Sequence, residues 1–433
     1  LAQHLAGHDR EAVPNFEAVL KIEPHLFPAC LSLGAARLAL NQPREAIPPL
    51  EKAVAAEPAN RDALGMLAQA FMNAGSFNRA AEQFRKLISL SPGDPRAWYG
   101  LGMSYQSIAA GAFDRLQKSN PRSPYVAALV AGTRVERRQY RSAFFFYREA
   151  LKQLPNLHGI HSALAEVYRK TSHADWAELE DARERALPAP DCAAHPSECQ
   201  FLAGKDLRAI TLPRAAAPSP EALFWQAKAA NELAFQAFFR LGQLPPSVEL
   251  HRLRAQIARN QNQHMECVKE WRAALELSPN DPRLKQELAV SLFMAREYPA
   301  ALAEATELLK SISRSAELNF VAGDSLVRLE EPEKAVPYLR AALAADPKLL
   351  EADASLGLAL SRLDRSAQAI PHLEKSLELD DDGSLHYQLA RAYQAAGQAA
   401  KARAAMATYQ EILKKDREQR DEVARETEIE PPR

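Results

Sequence analysis

The feature that most constrains this chain is a recurrence with a spacing of 34 residues. A small residue is followed four positions later by a large side chain and twelve positions later by proline, as in Ala12/Phe16/Pro24, Ala46/Leu50/Pro58 and Ala80/Phe84/Pro92. Related sets return at Ala143/Tyr147/Pro155, Cys267/Trp271/Pro279 and Ala335/Leu339/Pro347. A fixed period of roughly 20–50 residues indicates stacked supersecondary units. The length of 433 residues fits this, since one core stops growing at about 250–300 residues.

A second pattern precedes these sets, and its clearest copy is WYGLGMSY at residues 98–105. Trp98, Leu101, Gly102 and Tyr105 are spaced so that they share one face of a helix. Gly102 is the small member of the set, and a small residue there lets a neighbouring helix approach closely. The two patterns together therefore predict pairs of amphipathic helices.

The sequence resembles the tetratricopeptide repeat family, whose pattern is W-x2-L-G-x2-Y, then A-x3-F, then P. Residues 98–105 match the first part, and Ala80, Phe84 and Pro92 match the second. The resemblance implies an all-α fold, a right-handed α-solenoid of antiparallel helix pairs with about twelve units. The first unit, 1–26, is incomplete, so we expect further repeat sequence before it.

Four segments follow from this pattern. We predict an N-terminal repeat block at 1–188, an irregular insert with Cys and Pro at 189–221, a C-terminal repeat block at 222–416 and a charged tail at 417–433. The insert fits no repeat, and loops of such length are usually functional or disordered.

Two predicted units, 95–123 and 222–247, are short and resemble each other. The segment Ala112-Phe113-x-Arg115-Leu116 in the first parallels Ala237-Phe238-x-Arg240-Leu241 in the second. Two interpretations stay open. The short units change the pitch of the superhelix, or they offer similar docking surfaces in two related halves.

The only sequence cluster whose residue types could form a disulfide or bind a metal is Cys192-x2-His195-x3-Cys199. A disulfide between Cys192 and Cys199 and a pair of reduced surface cysteines are both open interpretations. Zinc would need a fourth ligand, and no matching Cys or His pair lies nearby in the sequence, so we predict no metal and no cofactor. Cys30 and Cys267 occupy core repeat positions and are expected to be small apolar fillers.

Other classes of function find little support. Lys and Arg total 54 against 55 Asp and Glu, so no basic excess indicates nucleic-acid binding. No apolar run reaches the roughly 18–20 residues of a membrane span. No nucleophile elbow, P-loop, dinucleotide-binding fingerprint or zinc-protease motif occurs, and we predict that the chain is not an enzyme.

In similar repeats the partner segment lies along the first helices, in a concave groove. The residues predicted to line this groove are Met66, Gln69, Met72, Asn73, Tyr99, Met103, Gln106, Arg252, Gln256 and Arg259. Exposed Met and aromatic side chains suit burial of an apolar peptide face.

The predicted function is therefore a scaffold that binds a peptide or helix of a partner protein. The alternative is a regulatory or substrate-docking arm of a larger enzyme or sensor whose other domain lies upstream. The paired cysteines favour a periplasmic or secreted location over the cytoplasm. The abundant Ala, Arg and Pro suggest a bacterial source.

Overall fold

The structure, a computed structural model, describes residues 8–205, 207, 210 and 218–432. Every regular element within them is helical, with 22 α-helices and a short 3-10 segment, and these residues contain no strand. The chain divides into two compact units, the first running to Leu253 and the second comprising Arg254–Glu430. Residues 189–221, where we expect an insert between two blocks, lie within the first unit.

The helices up to the end of the 189–221 segment are α1 (Asp9–Ile22), α2 (Phe27–Ala39), α3 (Pro43–Ala56), α4 (Arg61–Asn73), α5 (Phe77–Leu90), α6 (Pro95–Ser119), α7 (Pro124–Glu136), α8 (Tyr140–Gln153), α9 (Ile160–Lys170), α10 (Ala174–Ala186) and α11 (Pro196–Leu202). Most of them form consecutive hairpins, as the repeat pattern predicts.

The remaining helices are α12 (Pro220–Gly242), α13 (Val248–Asn260), α14 (His264–Leu277), α15 (Pro282–Met294), α16 (Tyr298–Leu309), α17 (Ala316–Arg328), α18 (Pro332–Ala345), α19 (Leu350–Arg362), α20 (Ser366–Lys375), α21 (Ser384–Ala395) and α22 (Ala399–Glu426). The 3-10 segment Ser376–Leu379 follows α20 directly. Helices α3 and α18 begin at Pro43 and Pro332, where the missing N–H of proline removes no helix hydrogen bond.

Tight turns inside the hairpins depend on one residue with positive φ. Asn41, Gly75 and Gly397 occupy such turns, with φ values of 56°, 74° and 74°. At the second of these, Ser76 N–H donates to the Phe71 carbonyl at 2.8 Å, which satisfies a carbonyl at the end of α4. The chain can therefore reverse direction without leaving helix-end groups unpaired.

Within a hairpin, a glycine of the first helix meets a leucine of the second. A Cβ atom on Gly34 would lie 2.4 Å from Leu50 Cγ, and one on Gly357 would lie 2.7 Å from Leu373 Cγ. The leucine follows the glycine by 16 positions in each case, and both leucines are fully buried. The small residue predicted for close helix approach therefore accommodates a specific large side chain.

The prediction that 95–123 and 222–247 are helix pairs is wrong. Each segment is instead dominated by one continuous helix, α6 with 25 residues and α12 with 23. No Pro lies in the interior of either helix, and both Gly111 of α6 and Asn231 of α12 stay helical. A Cβ atom on Gly111 would meet no atom within 4 Å. Strong helix formers on both sides keep the chain helical where other repeats turn.

The two long helices pack against each other as an antiparallel pair. Gly102 near the start of α6 faces Phe238 near the end of α12, while Tyr125, just beyond α6, lies 5.2 Å from Phe224 near the start of α12. A Cβ on Gly102 would lie 2.3 Å from the Phe238 ring. Phe238 thus takes the place that Leu50 takes against Gly34.

A stripe of alanines allows this close packing. One hydrophobic cluster contains Tyr105, Ile108 and Ala109 of α6 together with Ala229, Ala230, Ala234 and Ala237 of α12. The repeat that begins with α6 therefore obtains its second helix from α12, about a hundred residues downstream in the chain. Neither earlier interpretation of the two short segments included this pairing.

Candidate binding surface and polar cavity

The predicted groove residues of α4 divide between core and surface. Met66 and Met72 are half-buried and pack against the hydrophobic cluster of the first unit. The Ser104 hydroxyl also donates to the Met72 sulfur at 3.0 Å. Gln69 and Asn73 bond to each other at 2.7 Å near the surface. Only the two polar side chains of this set are open to a partner.

The predicted groove residues of α6 lie beside α12. Tyr99 is half-buried, with its ring centroid 6.4 Å from that of Phe238 and 5.1 Å from the Arg252 guanidinium carbon. Met103 is half-buried and Gln106 is exposed. Tyr99 therefore contributes to packing between helices within the first unit.

Three predicted groove residues lie on α13. Arg252 is exposed apart from its contact with the Tyr99 ring, and Gln256 is half-buried. Arg259 is exposed and forms an ion pair with Glu287. Their assignment to partner binding stays a prediction.

The outer face of α12 carries two exposed phenylalanines that the sequence reasoning missed. Phe235 is 64% exposed and Phe239 is 56% exposed, and their rings stack with centroids 6.3 Å apart. The exposed residues around them are polar: Asn231, Glu232, Gln236 and Arg240. The signal was present as two Phe four residues apart, opposite an alanine stripe on the same helix.

A cavity of about 340 Å³ lies at the other end of α12. Its walls come from the start of α7, the loop before α9, residues 188–198 and the first turns of α12. The side chains that matter for its chemistry are Tyr125, His158, His195, Glu198, Glu221 and Trp225. Of these side chains, the sequence pattern had indicated only His195, within the Cys192–Cys199 segment.

Glu198 and Glu221 of the cavity each bond to an imidazole. Glu198 Oε1 lies 2.9 Å from His158 Nδ1, and both Glu221 oxygens lie 3.0 Å from His195 Nδ1. One potential ligand atom from each of His195, Glu198 and Glu221 lies within 4.8 Å of the other two. Glu198 is buried at the start of α11, while Glu221 is in the first turn of α12.

The carboxylates shape the titration of their neighbours. Burial, followed by the charges of Glu221 and Glu198, raises the pKa of Tyr125 to about 12, so this phenol stays protonated at neutral pH. The hydrogen bond with Glu221, and then its charge, raise the pKa of His195. The cavity is therefore an anionic site with hydrogen-bond donors in its wall.

Cys192 and Cys199 form a disulfide, with their Cα atoms 5.6 Å apart. The disulfide brackets His195 and joins the loop after α10 to α11. Sulfur ligation of zinc by these residues, one of the chemistries weighed from the sequence, would require the bond to be reduced. Cys30 and Cys267 are free and buried.

The stacked hairpins define a helical repeat protein. The sequence profile described as "Tetratricopeptide repeat" matches residues 31–95, 66–105 and 320–384. The chain therefore carries tetratricopeptide repeats, and the matches fall in both compact units. A search of curated proteins found no match.

Solved structures show partial similarity to this chain. MamA from Desulfovibrio magneticus RS-1 is 20% identical, with 39% of this chain and 96% of that chain covered and a TM-score of 0.35. A thermophilic TPR protein in Thermus thermophilus is 22% identical, with 42% and 98% covered and a TM-score of 0.32. No helix within the described residues is both long and apolar enough to cross a membrane.

Proposed function

We propose that this chain is a scaffold that binds an apolar segment of a partner protein on the outer face of α12. Tetratricopeptide repeats are generally built for holding other proteins, which supports the class of function. The observation that carries the choice of surface is the exposed stack of Phe235 and Phe239. Exposed adjacent aromatic side chains with a polar rim are typical of interface hot spots.

The position of α12 supports this choice. Its alanine stripe is buried against α6, so the helix is held firmly while its two phenylalanines face solvent. A rigid aromatic pair loses little conformational entropy when a partner covers it. By contrast, Tyr99, Met66 and Met72, which the sequence suggested as anchors, are partly used in packing.

The test is a binding comparison between two double variants. Partners are captured by the wild-type chain, purified and titrated against Phe235→Ser/Phe239→Ser. The matched control is Leu90→Ser/Leu179→Ser, which removes two side chains of 45% and 53% exposure on α5 and α10. We expect the first variant to weaken binding by at least about tenfold, because hot-spot truncations often cost about 2 kcal/mol or more.

Equal affinity of the wild type and the Phe235/Phe239 variant would contradict this surface. Loss of binding in both double variants would also contradict it, since the effect would then not be specific to α12. Circular dichroism of each variant shows whether the helices are retained.

We also propose a periplasmic or secreted location. The Cys192–Cys199 disulfide supports it, because such bonds persist in oxidising compartments and are rare in the cytosol.

A further inference from the structure

Glu198 and Glu221 bring carboxylate oxygens within 4.8 Å of each other in the cavity beside the first turns of α12. Glu198 is 10% exposed at its side chain and Glu221 is 20% exposed. Their ion pairs are to His158 and His195, and neither pairs with a Lys or Arg in the described part of the chain. Bringing two partly desolvated negative charges together is unfavourable unless positive charge balances them.

A divalent cation in contact with both carboxylates would supply that charge. A first-row transition metal takes imidazole nitrogen and carboxylate oxygen at about 2.0–2.2 Å, which places neighbouring ligand atoms about 3.3 Å apart. The ligand atoms of His195, Glu198 and Glu221 lie within 4.8 Å of one another, so small side-chain movements suffice. The three residues are one ligand short of a closed tetrahedral set.

The surroundings fit such a site. His158 bonds to Glu198 at 2.9 Å and would hold this carboxylate in place, as residues behind metal ligands commonly do. Trp225 lines the cavity and is 1% exposed, and its buried indole N–H has no acceptor among the described residues.

We infer that His195, Glu198 and Glu221 bind one divalent transition-metal ion, with Zn²⁺ as the natural probe. His158 acts as a positioning residue for Glu198. The site has only nitrogen and oxygen ligands, because the neighbouring sulfurs form the Cys192–Cys199 disulfide. Metal binding at this site needs no partner protein, so it can be tested independently of the proposed surface on α12.

The ion would join two elements. His195 and Glu198 belong to the start of α11, and Glu221 belongs to the first turn of α12. Metal binding would therefore fix the N-terminal end of α12, whose other end packs on Gly102. A ligand that binds only the folded state raises the free energy of unfolding as the ligand concentration rises above its Kd.

The untagged full chain is first treated with a chelator to remove bound metal, with its disulfide left intact. ZnCl₂ is then titrated into this protein. Calorimetry gives the affinity, elemental analysis gives the stoichiometry, and thermal melting reports stabilisation. The variants are Glu221→Gln and His195→Ala, and the control is Cys192→Ser/Cys199→Ser. Glu221→Gln keeps the side-chain size, so it separates loss of a ligand from loss of folding.

We expect one Zn²⁺ per chain and a higher melting temperature with zinc. Both ligand variants should weaken binding at least tenfold, while the serine control retains the ion. Absence of stoichiometric zinc would overturn the inference. Zinc retained in both ligand variants but lost in the serine control would overturn it in favour of thiolate ligation.

Discussion

Gly34 and Gly65 lie in the first helices of two successive hairpins, α2 and α4, but have different surroundings. A Cβ on Gly34 would overlap Leu50, whereas one on Gly65 would meet only Leu87 Cδ2 at 3.8 Å. We predict that Gly34→Ala destabilises the protein by about 1–3 kcal/mol through overpacking. Gly65→Ala should stabilise it by about 0.5–1 kcal/mol, because alanine restricts the unfolded chain.

Urea unfolding of the two variants checks this prediction, with the shift in midpoint as the readout. Both changes add one methyl group to a helix, so each serves as the control for the other. A Gly34→Ala midpoint at or above that of the wild type would mean that Leu50 can move aside freely.

At the residue scale, the sequence identified the repeat positions well. The small residues predicted to open second helices, such as Ala46, Ala80 and Cys267, are buried as the pattern requires. It did not identify the cluster around Glu198, because His158, His195, Glu198 and Glu221 come from separated segments. Carboxylates are common along the chain, and only the fold shows which two of them meet.

At the element scale, a histidine clamp joins the helices of the α9–α10 hairpin. His161 Nδ1 lies 2.5 Å from Glu180 Oε2, and Arg183 donates to the other oxygen of Glu180 at 2.8 Å. The hydrogen bond with Glu180 raises the pKa of His161, with smaller contributions from the Pro155 carbonyl and the charge of Glu184. The protonated imidazole therefore favours the folded state.

The clamp predicts a pH-dependent difference between wild type and His161→Gln. A raised folded-state pKa gives stabilisation that is complete below the unfolded value of about 6.5 and is lost as pH rises through the folded value. The melting-temperature advantage of the wild type should thus shrink as the pH rises above about 6.5. His25→Gln, at an exposed loop position, is the control. A pH-independent difference for His161→Gln would contradict the clamp.

Also at the element scale, local patterns predicted helices and turns but not the pairing of α6 with α12. The segment 98–105 carries a full first-helix signature, so a second helix was expected to follow it directly. The missing turn is visible in the sequence, since no Pro or Asn interrupts the middle of α6. What replaces the second helix is a long-range contact, which periodicity cannot specify.

At the scale of the whole molecule, both compact units contain tetratricopeptide repeats, and the first unit also contains a helix pair formed by segments distant in the sequence. It includes a repeat assembled from two distant helices, and the same helix α12 carries the exposed Phe235–Phe239 stack and Glu221 of the cavity. The proposed surface and the proposed metal site thus both depend on how α12 is held. Both therefore require that α12 packs antiparallel on α6.

Disulfide trapping tests this claim most directly. Gly102→Cys/Phe238→Cys places two thiols where the helices touch. The control Gly111→Cys/Phe238→Cys moves one thiol nine residues along α6, or about 13 Å. Under mild oxidation, with linked peptides identified by mass spectrometry, we predict rapid bond formation in the 102/238 pair and little in the 111/238 pair. Equal or faster trapping of the 111/238 pair would contradict the account.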